Sequence, residues 1–309
     1  MKMASTDTAC AVGLDVGGTK MAGGLISFPS GRILVSRTVP TRPERGGDSV
    51  LDDALSLVEE LMSKAGSNFL GIGVGVAELV DLEGQVTSSH TIAWQNLPVQ
   101  QRFSDLSPTL VDADVRMAAL GEACFGAGRA FDLFAFVAIG TGIGYCLVQD
   151  TQPYAGARGN ALILASSPLS TTCTACGTRL QPVLEAFASG PAIVARFQQA
   201  GGKAERGEDV FAAADAGNPD AMHVLRTAGE ALGVQVGFLV NVLDPEALVI
   251  GGGLGMAKGP YWECFLTSAR EHIWSGASRE LPILKAGLGN QAGVVGAAAA
   301  IWKRQNVRP

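Results

Sequence analysis

Three glycine-rich turns of the chain have the composition needed to hold phosphate groups. They span Asp15 to Lys20 (DVGGTK), Gly140 to Gly144 (GTGIG) and Gly251 to Gly255 (GGGLG), and each follows a short apolar run typical of a buried strand. Glycine places no Cβ in front of the backbone N–H groups, so such a turn can approach phosphate oxygens closely. A plain glycine hairpin explains any one turn, but three in one chain favour nucleotide binding.

The first turn also carries side chains suited to phosphate and metal. Thr19 offers a hydroxyl, Lys20 offers a cation, and Asp15 stands at the end of a strand, where its carboxylate could hold Mg²⁺ through water. None of the turns matches the P-loop pattern or a G-x-G-x-x-G that opens a helix, which disfavours a Rossmann fold. The third turn precedes a helical segment, which suits adenosine packing or a helix N-terminus facing phosphate.

Composition restricts the partners and the compartment. The chain has 309 residues, 47% of them hydrophobic, which is enough for two domains with sizeable cores. A net charge of -6 without a basic run argues against nucleic acid, and the lack of an apolar stretch of about 18 residues argues against a membrane span. The first ten residues lack the apolar core of a secretory signal, so the six cysteines are expected as free thiols in the cytoplasm.

Hydrophobic periodicity predicts an α/β fold with an internal repeat. A strand, a glycine turn and a second strand occur near residues 11–26 and again near residues 134–148, which predicts two related α/β halves with a cleft between them. Further strands are predicted over residues 32–38, 70–76, 109–112, 247–250 and 283–286. Helices are predicted over residues 49–65, 115–125, 182–200, 208–216, 219–241, 261–273 and 291–304.

Seven segments together resemble the ROK family (repressor, open reading frame, kinase) of the actin/hexokinase/Hsp70 superfamily. They are Leu14 to Lys20, Gly71 to Asp81, Asn96 to Pro98, Ala118 to Arg129, Ile139 to Gly144, Leu184 to Pro191 and Asn241 to Gly253. The resemblance covers nearly the whole chain and implies an α/β, two-lobed actin-like ATPase (ribonuclease H-like) fold with an interlobe cleft. A small N-terminal lobe would span residues 1–116, completed by a C-terminal helix over residues 292–309, and a large lobe would span residues 117–291.

The resemblance implies a sugar kinase rather than a transcription factor. The family's repressors carry an additional N-terminal helix-turn-helix domain, and the first glycine turn here begins at Asp15, which leaves no room for one. ATP and Mg²⁺ are implied, with Asp15 near Mg²⁺. The predicted ATP site comprises Asp15, Gly17, Gly18, Thr19, Lys20, Gly140, Thr141, Gly142, Gly251, Gly252 and Gly253.

The resemblance also indicates the general base. The family's usual segment reads E-N-D-A-N-A-A-A-L-G-E, and here the aligned stretch runs from Asp112 to Glu122 (DADVRMAALGE). Asp114 falls on the family's catalytic aspartate; a helix N-cap is the alternative role, and the two roles are compatible. Both asparagines are lost, to Ala113 and Arg116, so the groups that orient the acceptor differ from those of the family.

The segments that hold sugar and zinc in the family also depart from its pattern. The usual G-N-A-G-E-I-G-H is here Gly159 to Ser166 (GNALILAS), so Ile163 and Ser166 stand where the family has glutamate and histidine. The usual zinc run C-x-C-G-x-x-G-C keeps two cysteines, Cys173 and Cys176, and two thiolates do not complete a tetrahedral site. We expect no zinc, and the pair is a vestige, a redox pair or half of a site completed elsewhere.

Glu78 is the departure that suggests a substrate class. The family's usual G-V-P-G-L-V-D is here Gly75 to Asp81 (GVAELVD), so Glu78 replaces a glycine that lines the sugar pocket of relatives. A carboxylate there would suit an ammonium group of an amino sugar such as kanosamine, with a sugar-like cyclitol as a further candidate; alternatively, Glu78 points into solvent. The predicted substrate contacts are Glu78, Asn96, Asp112, Asp114, Arg116, Asn160 and Glu185.

The sequence therefore predicts a kinase that transfers the γ-phosphoryl of ATP to a hydroxyl, the primary 6-OH or its equivalent, of a hexose-like substrate. Poor use of plain glucose is expected, because ring-binding groups are lost. The alternative is a catalytically weak sugar- or metabolite-binding sensor, which the retention of Asp114 and all three turns opposes. A chaperone-like ATPase is disfavoured at this length. The resemblance leaves a homodimer open, because members of the family are often dimers; the apolar helix over residues 219–241 is either its interface or a buried core helix.

Overall fold

A computed structural model of the chain describes residues 9–172 and 176–306. The described residues form two compact units, each with its own sheet and hydrophobic core. Unit 1 comprises the residues up to Asp132, Val148–Leu162 and the residues from Asn290, whereas unit 2 comprises Leu133–Leu147 and Ile163–Gly289. The predicted lobe boundary at residue 116 stays a prediction.

Unit 1 is built on a five-stranded sheet. Its strands are β1 (Ala9–Val16), β2 (Lys20–Phe28), β3 (Arg32–Pro40), β4 (Phe69–Val76) and β5 (Thr109–Ala113). Its first helices are α1 (Gly47–Met62), α2 (Val99–Ser104) and α3 (Asp114–Phe125).

The strand order of this sheet is β3–β2–β1–β4–β5. The first three strands form an antiparallel meander, whereas β1, β4 and β5 run parallel. Because parallel neighbours need a connection that returns the chain to the same end of the sheet, helices lie in the connections to β4 and β5. The buried face of α1 has helical spacing and consists of Val50, Leu51, Ala54, Leu57, Val58 and Leu61.

Unit 2 contains most of the second five-stranded sheet and a group of helices. The remaining strands of the chain are β6 (Leu133–Ile139), β7 (Ile143–Gln149), β8 (Gln152–Pro153), β9 (Thr171–Thr172), β10 (Arg179–Leu180), β11 (Ala247–Gly251) and β12 (Ile283–Lys285). The helices of unit 2 are α4 (Glu185–Ala188), α5 (Gly190–Gln199), α6 (Gly207–Asp215), α7 (Pro219–Leu243), α8 (Pro260–His272) and α9 (Gly276–Arg279).

The second sheet repeats the strand order of the first. Its strands are arranged β12–β11–β6–β7–β8, so a central strand again has the next strand in sequence on one side and parallel neighbours on the other. In this arrangement β6 corresponds to β1, β7 to β2 and β11 to β4. The repeat that the sequence predicts is therefore visible in the topology of the two sheets.

One predicted helix is wrong in its extent. The sequence predicts a single helix over residues 182–200, but α4 and α5 are separate, because Ser189 between them is extended. The Ser189 hydroxyl accepts a hydrogen bond from Ala192 N at 3.4 Å and caps α5. Pro191 follows in the first turn of α5, where its missing N–H is tolerated.

The long helix α7 is a core helix over most of its length. One face is buried along the helix, and only toward its C-terminus do large apolar side chains, Phe238 and Val242, become exposed. The buried residues of α7 are Ala221, Val224, Leu225, Ala228, Gly229, Leu232, Gly233, Val236, Gly237 and Val240. In the part of the chain that the structure describes, no helix combines the length and apolar character needed to cross a membrane.

The last helix, α10 (Ala292–Asn306), belongs to unit 1, and its backbone packs directly against the backbone of neighbouring elements. A Cβ added to Gly73 of β4 would lie 1.8 Å from the carbonyl oxygen of Ala297. One added to Gly296 of α10 would lie 1.7 Å from the carbonyl oxygen of Met117 in α3. Glycine at both positions therefore lets α10 fit against the sheet and α3 at once.

Gly296→Ala is expected to destabilise unit 1, because the new methyl group would overlap the Met117 carbonyl. Overpacking of this kind typically costs about 1–3 kcal/mol, so the denaturant midpoint of unfolding should fall. Gly66→Ala is the matched control, since a Cβ at Gly66 meets nothing within 4 Å. Equal midpoints for the two variants would contradict the close packing of α10.

Candidate active site

The parallel strands β1, β4 and β5 bring three carboxylates to one edge of the first sheet. Asp15 is paired with Gly75, and Gly75 is paired with Asp112, so the carboxyl ends of the strands are level. Asp15 lies near the end of β1, Glu78 follows β4, and Asp114 follows β5. Because ligands of α/β sheets bind beyond the carboxyl ends of strands, this edge is the candidate active site of unit 1.

Asp114 opens α3 instead of capping it. Ala113 occupies the N-cap position without a side-chain hydrogen bond, and Asp114 is the first helical residue. Asp114 Oδ1 accepts a hydrogen bond from Val115 N at 2.6 Å. The alternative N-cap role is therefore not observed, and the carboxylate lies at the N-terminus of α3, where the helix dipole favours negative charge.

The surroundings of Asp114 make it a carboxyl group that titrates near neutrality. Desolvation raises its pKa to about 7, and the negative charges of Asp15 and Glu78 act in the same direction. The Val115 N–H and the Arg116 guanidinium lower the pKa but do not offset these effects. A carboxylate whose pKa lies near the working pH is suited to general base catalysis.

The first glycine turn is held by its own backbone and by Thr41. Gly17 N donates to Lys20 O at 3.1 Å, the Thr41 hydroxyl donates to Gly17 O at 2.6 Å, and Thr41 N donates to Thr19 O at 3.1 Å. Thr19 and Lys20 remain exposed. Desolvation raises the pKa of Asp15 to about 6, and the Lys20 cation opposes that shift. Sequence reasoning missed Thr41, which follows β3 without any motif around it.

Arg116 is buried and donates hydrogen bonds to other groups of the same chain. Its Nε donates to Asp112 Oδ1 at 2.6 Å, its Nη2 donates to Val80 O at 2.8 Å, and its Nη1 donates to Gly159 O. Nη2 also contacts Asp112 Oδ1, which completes the ion pair, and only 2% of the Arg116 side chain is exposed. The structure thus gives Arg116 and Asp112 a role in joining the loops that contain Val80 and Gly159, and the predicted substrate contacts of both residues stay predictions.

Glu78 is also buried, with 6% of its surface exposed. Its carboxylate accepts hydrogen bonds from the Ser88 hydroxyl and from the backbone N–H groups of His90, Thr91 and Ile92. The alternative in which Glu78 points into solvent is therefore wrong. These four donors also match the number of acceptor positions on a carboxylate, so the predicted pairing with a substrate ammonium group finds no support in this geometry.

Asn96 and Asn160 lie on loops of unit 1 and are exposed. Asn96 has φ 70°, in the left-handed region that asparagine tolerates better than most residues. Asn160 follows Gly159, whose carbonyl oxygen is held by Arg116. The predicted substrate contacts of both asparagines stay predictions, and both side chains are accessible to a ligand.

In unit 2 the second and third glycine turns lie against each other. Leu254 N and Gly255 N both donate to Ile139 O, at 2.9 and 3.2 Å, so the turn after β11 folds back onto the end of β6. A Cβ on Gly252 would lie 2.3 Å from the same oxygen. The exposed residues of the two turns include Thr141, Gly142 and Gly253. Two of the predicted phosphate-binding turns are thus brought together at the carboxyl ends of neighbouring parallel strands.

Glu185 contacts the second glycine turn. Its Oε2 accepts a hydrogen bond from Ile143 N at 2.8 Å, and a Cβ on Gly142 would lie 2.8 Å from that oxygen. Gly190 N, at the start of α5, donates to Gly140 O at 2.9 Å. Glu185 and the start of α5 therefore hold the turn, while the predicted substrate contact of Glu185 stays a prediction.

The cysteines of the degenerate zinc run are described only in part. Cys173 lies outside the described residues, and Cys176 is exposed, with its Sγ 3.2 Å from Thr178 Oγ1. Over residues 9–172 and 176–306, no group of three or more His, Cys, Asp or Glu side chains is arranged to hold a metal ion. A single carboxylate such as Asp15 nevertheless fits Mg²⁺, which commonly uses one or two carboxylates together with substrate phosphates.

The sequence model of the ROK family matches residues 11–305. The chain belongs to the ROK family. Among its relatives by sequence is the glucokinase of Halalkalibacterium halodurans, which is 28% identical over 96% of this chain and 96% of the relative. The resemblance that the motifs indicate is therefore confirmed.

Solved structures of the same fold agree with this assignment. The ROK family glucokinase of Streptomyces griseus, in complex with glucose and AMPPNP, is 27% identical over 96% of this chain and 100% of that chain, with a TM-score of 0.82. The ROK hexokinase of Thermus thermophilus is 29% identical over 96% of this chain and 99% of that chain, with a TM-score of 0.79. The predicted α/β, actin-like ATPase fold class is confirmed, and the homologues support an ATP-dependent carbohydrate kinase.

Arg116→Asn, which restores the family's residue, is expected to destabilise the fold. The change leaves Asp112 without its cation and two loop carbonyls without their donor, and breaking a buried pair costs about 3–5 kcal/mol. Arg102→Asn is the matched control, because the pair of Arg102 with Asp52 is exposed and such pairs contribute about 0–1 kcal/mol. Similar unfolding free energies for both variants would show that Arg116 does not join the loops.

Asp114→Asn is expected to stabilise the fold more at pH 8 than at pH 5. The pKa of Asp114 in the folded protein, about 7, lies above the ordinary value of 3.8. Between about pH 4 and pH 7 the carboxyl group is deprotonated in the unfolded chain but protonated in the folded protein, so the stability of the parent falls as pH rises through this range. Because one pKa unit is worth about 1.4 kcal/mol, the gain at pH 8 should exceed the gain at pH 5 by on the order of 1–3 kcal/mol. Thermal unfolding of both proteins at both pH values measures it, and an equal gain at the two pH values would contradict the raised pKa.

Proposed function

We propose that the protein transfers the γ-phosphoryl group of ATP to a hydroxyl group of a hexose-like acceptor, with Asp114 as the general base. The observation that carries the proposal is the position of Asp114 at the edge where β1, β4 and β5 end, in the field of Asp15 and the first glycine turn. A pKa of about 7 leaves a substantial fraction of Asp114 deprotonated near neutral pH, as a base requires.

In the proposed reaction, Asp114 accepts the proton of the acceptor hydroxyl while that oxygen attacks the γ-phosphorus. A bond forms between the two atoms, the bond from the γ-phosphorus to the β–γ bridging oxygen breaks, and ADP leaves. Phosphoryl transfer of this kind is catalysed mainly by positioning and by charge, since the protein forms no covalent intermediate.

We assign the phosphates of ATP to the predicted glycine turns, in which Gly142 and Gly253 are exposed and Gly18 is half-buried. The exposed hydroxyls of Thr19 and Thr141 and the cation of Lys20 would add donors. Asp15 would hold Mg²⁺ through water, and the ion when bound neutralises charge on the phosphates. The Streptomyces griseus relative, solved with glucose and AMPPNP, supports this assignment by analogy.

The proposed acceptor is a hexose or hexose-like ring with a primary hydroxyl, and amino sugars and cyclitols belong to the candidate class. The reason to look beyond plain glucose is that Ile163 and Ser166 replace polar groups of the family's segment. One missing polar partner reduces discrimination by about 1–3 kcal/mol, or about tenfold to a hundredfold. Glu78 is not assigned to an ammonium group, because its acceptor positions are occupied.

ADP release with Mg-ATP tests the function on glucose, glucosamine, N-acetylglucosamine, N-acetylmannosamine, kanosamine and a C7-cyclitol. The parent protein should turn over at least one acceptor, with glucose among the poorer ones. Asp114→Asn should reduce the turnover rate by about 10²–10⁴-fold, the usual contribution of a general base. Asp48→Asn, a change of an exposed acid in α1, is the matched control and should leave the rate unchanged.

Two results would overturn the proposal. If ATP binds and no acceptor is phosphorylated, the protein is better explained as a sensor of a sugar or metabolite. If Asp114→Asn retains the parent rate on a good acceptor, Asp114 is not the base.

A homodimer also stays a proposal. Unit 2 exposes Phe238 and Val242 near the end of α7, and Trp274, which is 89% exposed, follows α8. Trp274 N donates to Asn241 Oδ1 at 2.7 Å, which places these apolar side chains in one neighbourhood. Exposed apolar patches commonly mark association sites. Sedimentation equilibrium tests the proposal, and a monomer at all concentrations would contradict it.

A further inference from the structure

Glu78 fills a backbone pocket of the kind that commonly binds an external anion. The N–H groups of His90, Thr91 and Ile92 converge on its carboxylate, with Ile92 N 2.7 Å from Oε1 and His90 N 2.9 Å from Oε2. Successive backbone N–H groups that converge in this way form an anion-binding nest. In this chain the anion belongs to the protein itself.

Ser88 joins the same segment to the loop after β4. Its hydroxyl donates to Glu78 Oε2 and accepts a hydrogen bond from Leu79 N at 2.8 Å. A buried carboxylate without donors would be strongly destabilising, so Glu78 and residues 88–92 depend on each other. The segment of residues 88–92 is therefore fixed by one side chain, although it has no helix or strand of its own.

The segment of residues 88–92 also reaches the first glycine turn. A Cβ on Gly18 would lie 2.4 Å from Thr91 Cγ2, so the glycine leaves room for Thr91 beside the turn. Just beyond the segment, Trp94 Nε1 donates to Gly47 O at 3.0 Å within the core of unit 1. The segment is thus held by Ser88 at its start, by the packing of Thr91 against Gly18, and by Trp94 just beyond its end.

Glu78, which holds this segment, lies near the proposed general base Asp114. Val76 of β4 is paired with Ala113 of β5, so Glu78 and Asp114 follow strand ends that are level and adjacent. The raised pKa of Asp114 agrees with this placement, since the charge of Glu78 contributes to it after desolvation and Asp15. Residues 88–92 are therefore held by a side chain that lies at the same edge of the sheet as Asp114.

We propose that Glu78 is a positioning residue that holds residues 88–92 as a wall of the acceptor site, and that the exposed side chains of His90 and Thr91 contact hydroxyl groups of the acceptor. The inference rests on the proposed kinase function. An imidazole and a hydroxyl exchange hydrogen bonds with hydroxyl groups, so the ligand chemistry is that of a polyhydroxylated ring.

Glu78→Gln tests the holding role by hydrogen exchange of the full-length protein. The amide keeps one acceptor oxygen and turns an NH₂ group toward N–H donors, so exchange at residues 90–92 should accelerate by about tenfold to a hundredfold. Glu78→Asp keeps the charge on a shorter side chain and should give a smaller acceleration. Glu83→Gln, a change of an exposed acid in the same loop, is the matched control. Unchanged exchange in Glu78→Gln overturns the holding role.

His90→Ala and Thr91→Ala test the contact role. Both keep the backbone N–H groups that bind Glu78, so they remain informative if Glu78→Gln does not fold. Each should raise KM for the best acceptor of the panel by about tenfold, the effect of one lost hydrogen bond. KM for ATP should change less than KM for the acceptor, and exchange at residues 90–92 should stay as in the parent. Unchanged KM for the acceptor in both variants overturns the contact role.

Failure of the kinase function would give a different pattern of results. If the parent phosphorylates none of the acceptors, calorimetric binding of glucose and the other panel compounds replaces KM, and the exchange experiment is unaffected. Weaker binding by His90→Ala or Thr91→Ala would then support the contact role without kinase activity. Equal binding by the variants, or no binding by the parent, would overturn it.

Discussion

The backbone contact of α10 with β4 and α3 is the constraint on which the arrangement of unit 1 depends. Gly73 and Gly296 let the helix touch a strand and another helix without side chains between them. The first turn of α10 borders the candidate site as well, because a Cβ on Gly293 would lie 2.5 Å from Asp15 Oδ2. One helix without any proposed catalytic group therefore helps to place both Asp15 and Asp114.

The charged side chains at the edge of the first sheet differ in how many hydrogen-bond partners they have within the protein. Glu78 is surrounded by donors, and Arg116 is surrounded by acceptors, so each acts on the loops around it. Asp114 has one backbone donor, desolvation and like charges nearby, which raise its pKa to about 7. Of Glu78 and Asp114, the carboxyl group with fewer donors is thus the one suited to take up a proton.

A feature of the fold or of the site could be predicted from the sequence where the residues that form it are also the residues of the recognisable motif. An apolar run followed by glycines located the turns of both sheets, and alignment with a family motif located Asp114. The partners of Glu78 lie 10 to 14 residues beyond it, in a segment without periodicity, so their convergence could not be inferred. Thr41 had no local signal at all. The break at Ser189 did have one, since Ser-Gly-Pro is typical of a helix start.

The position of α10 has a consequence for the order of events during translation. Unit 1 combines β1, which begins at Ala9, with a helix that begins at Ala292, whereas unit 2 ends at Gly289. The nascent chain therefore carries the first sheet with the surface for α10 uncovered while the whole of unit 2 is being synthesised. Uncovered strands in a growing chain are open to aggregation and to chaperones. Unit 2 can close its core first, so the first sheet, although it is synthesised before unit 2, is fully packed after it.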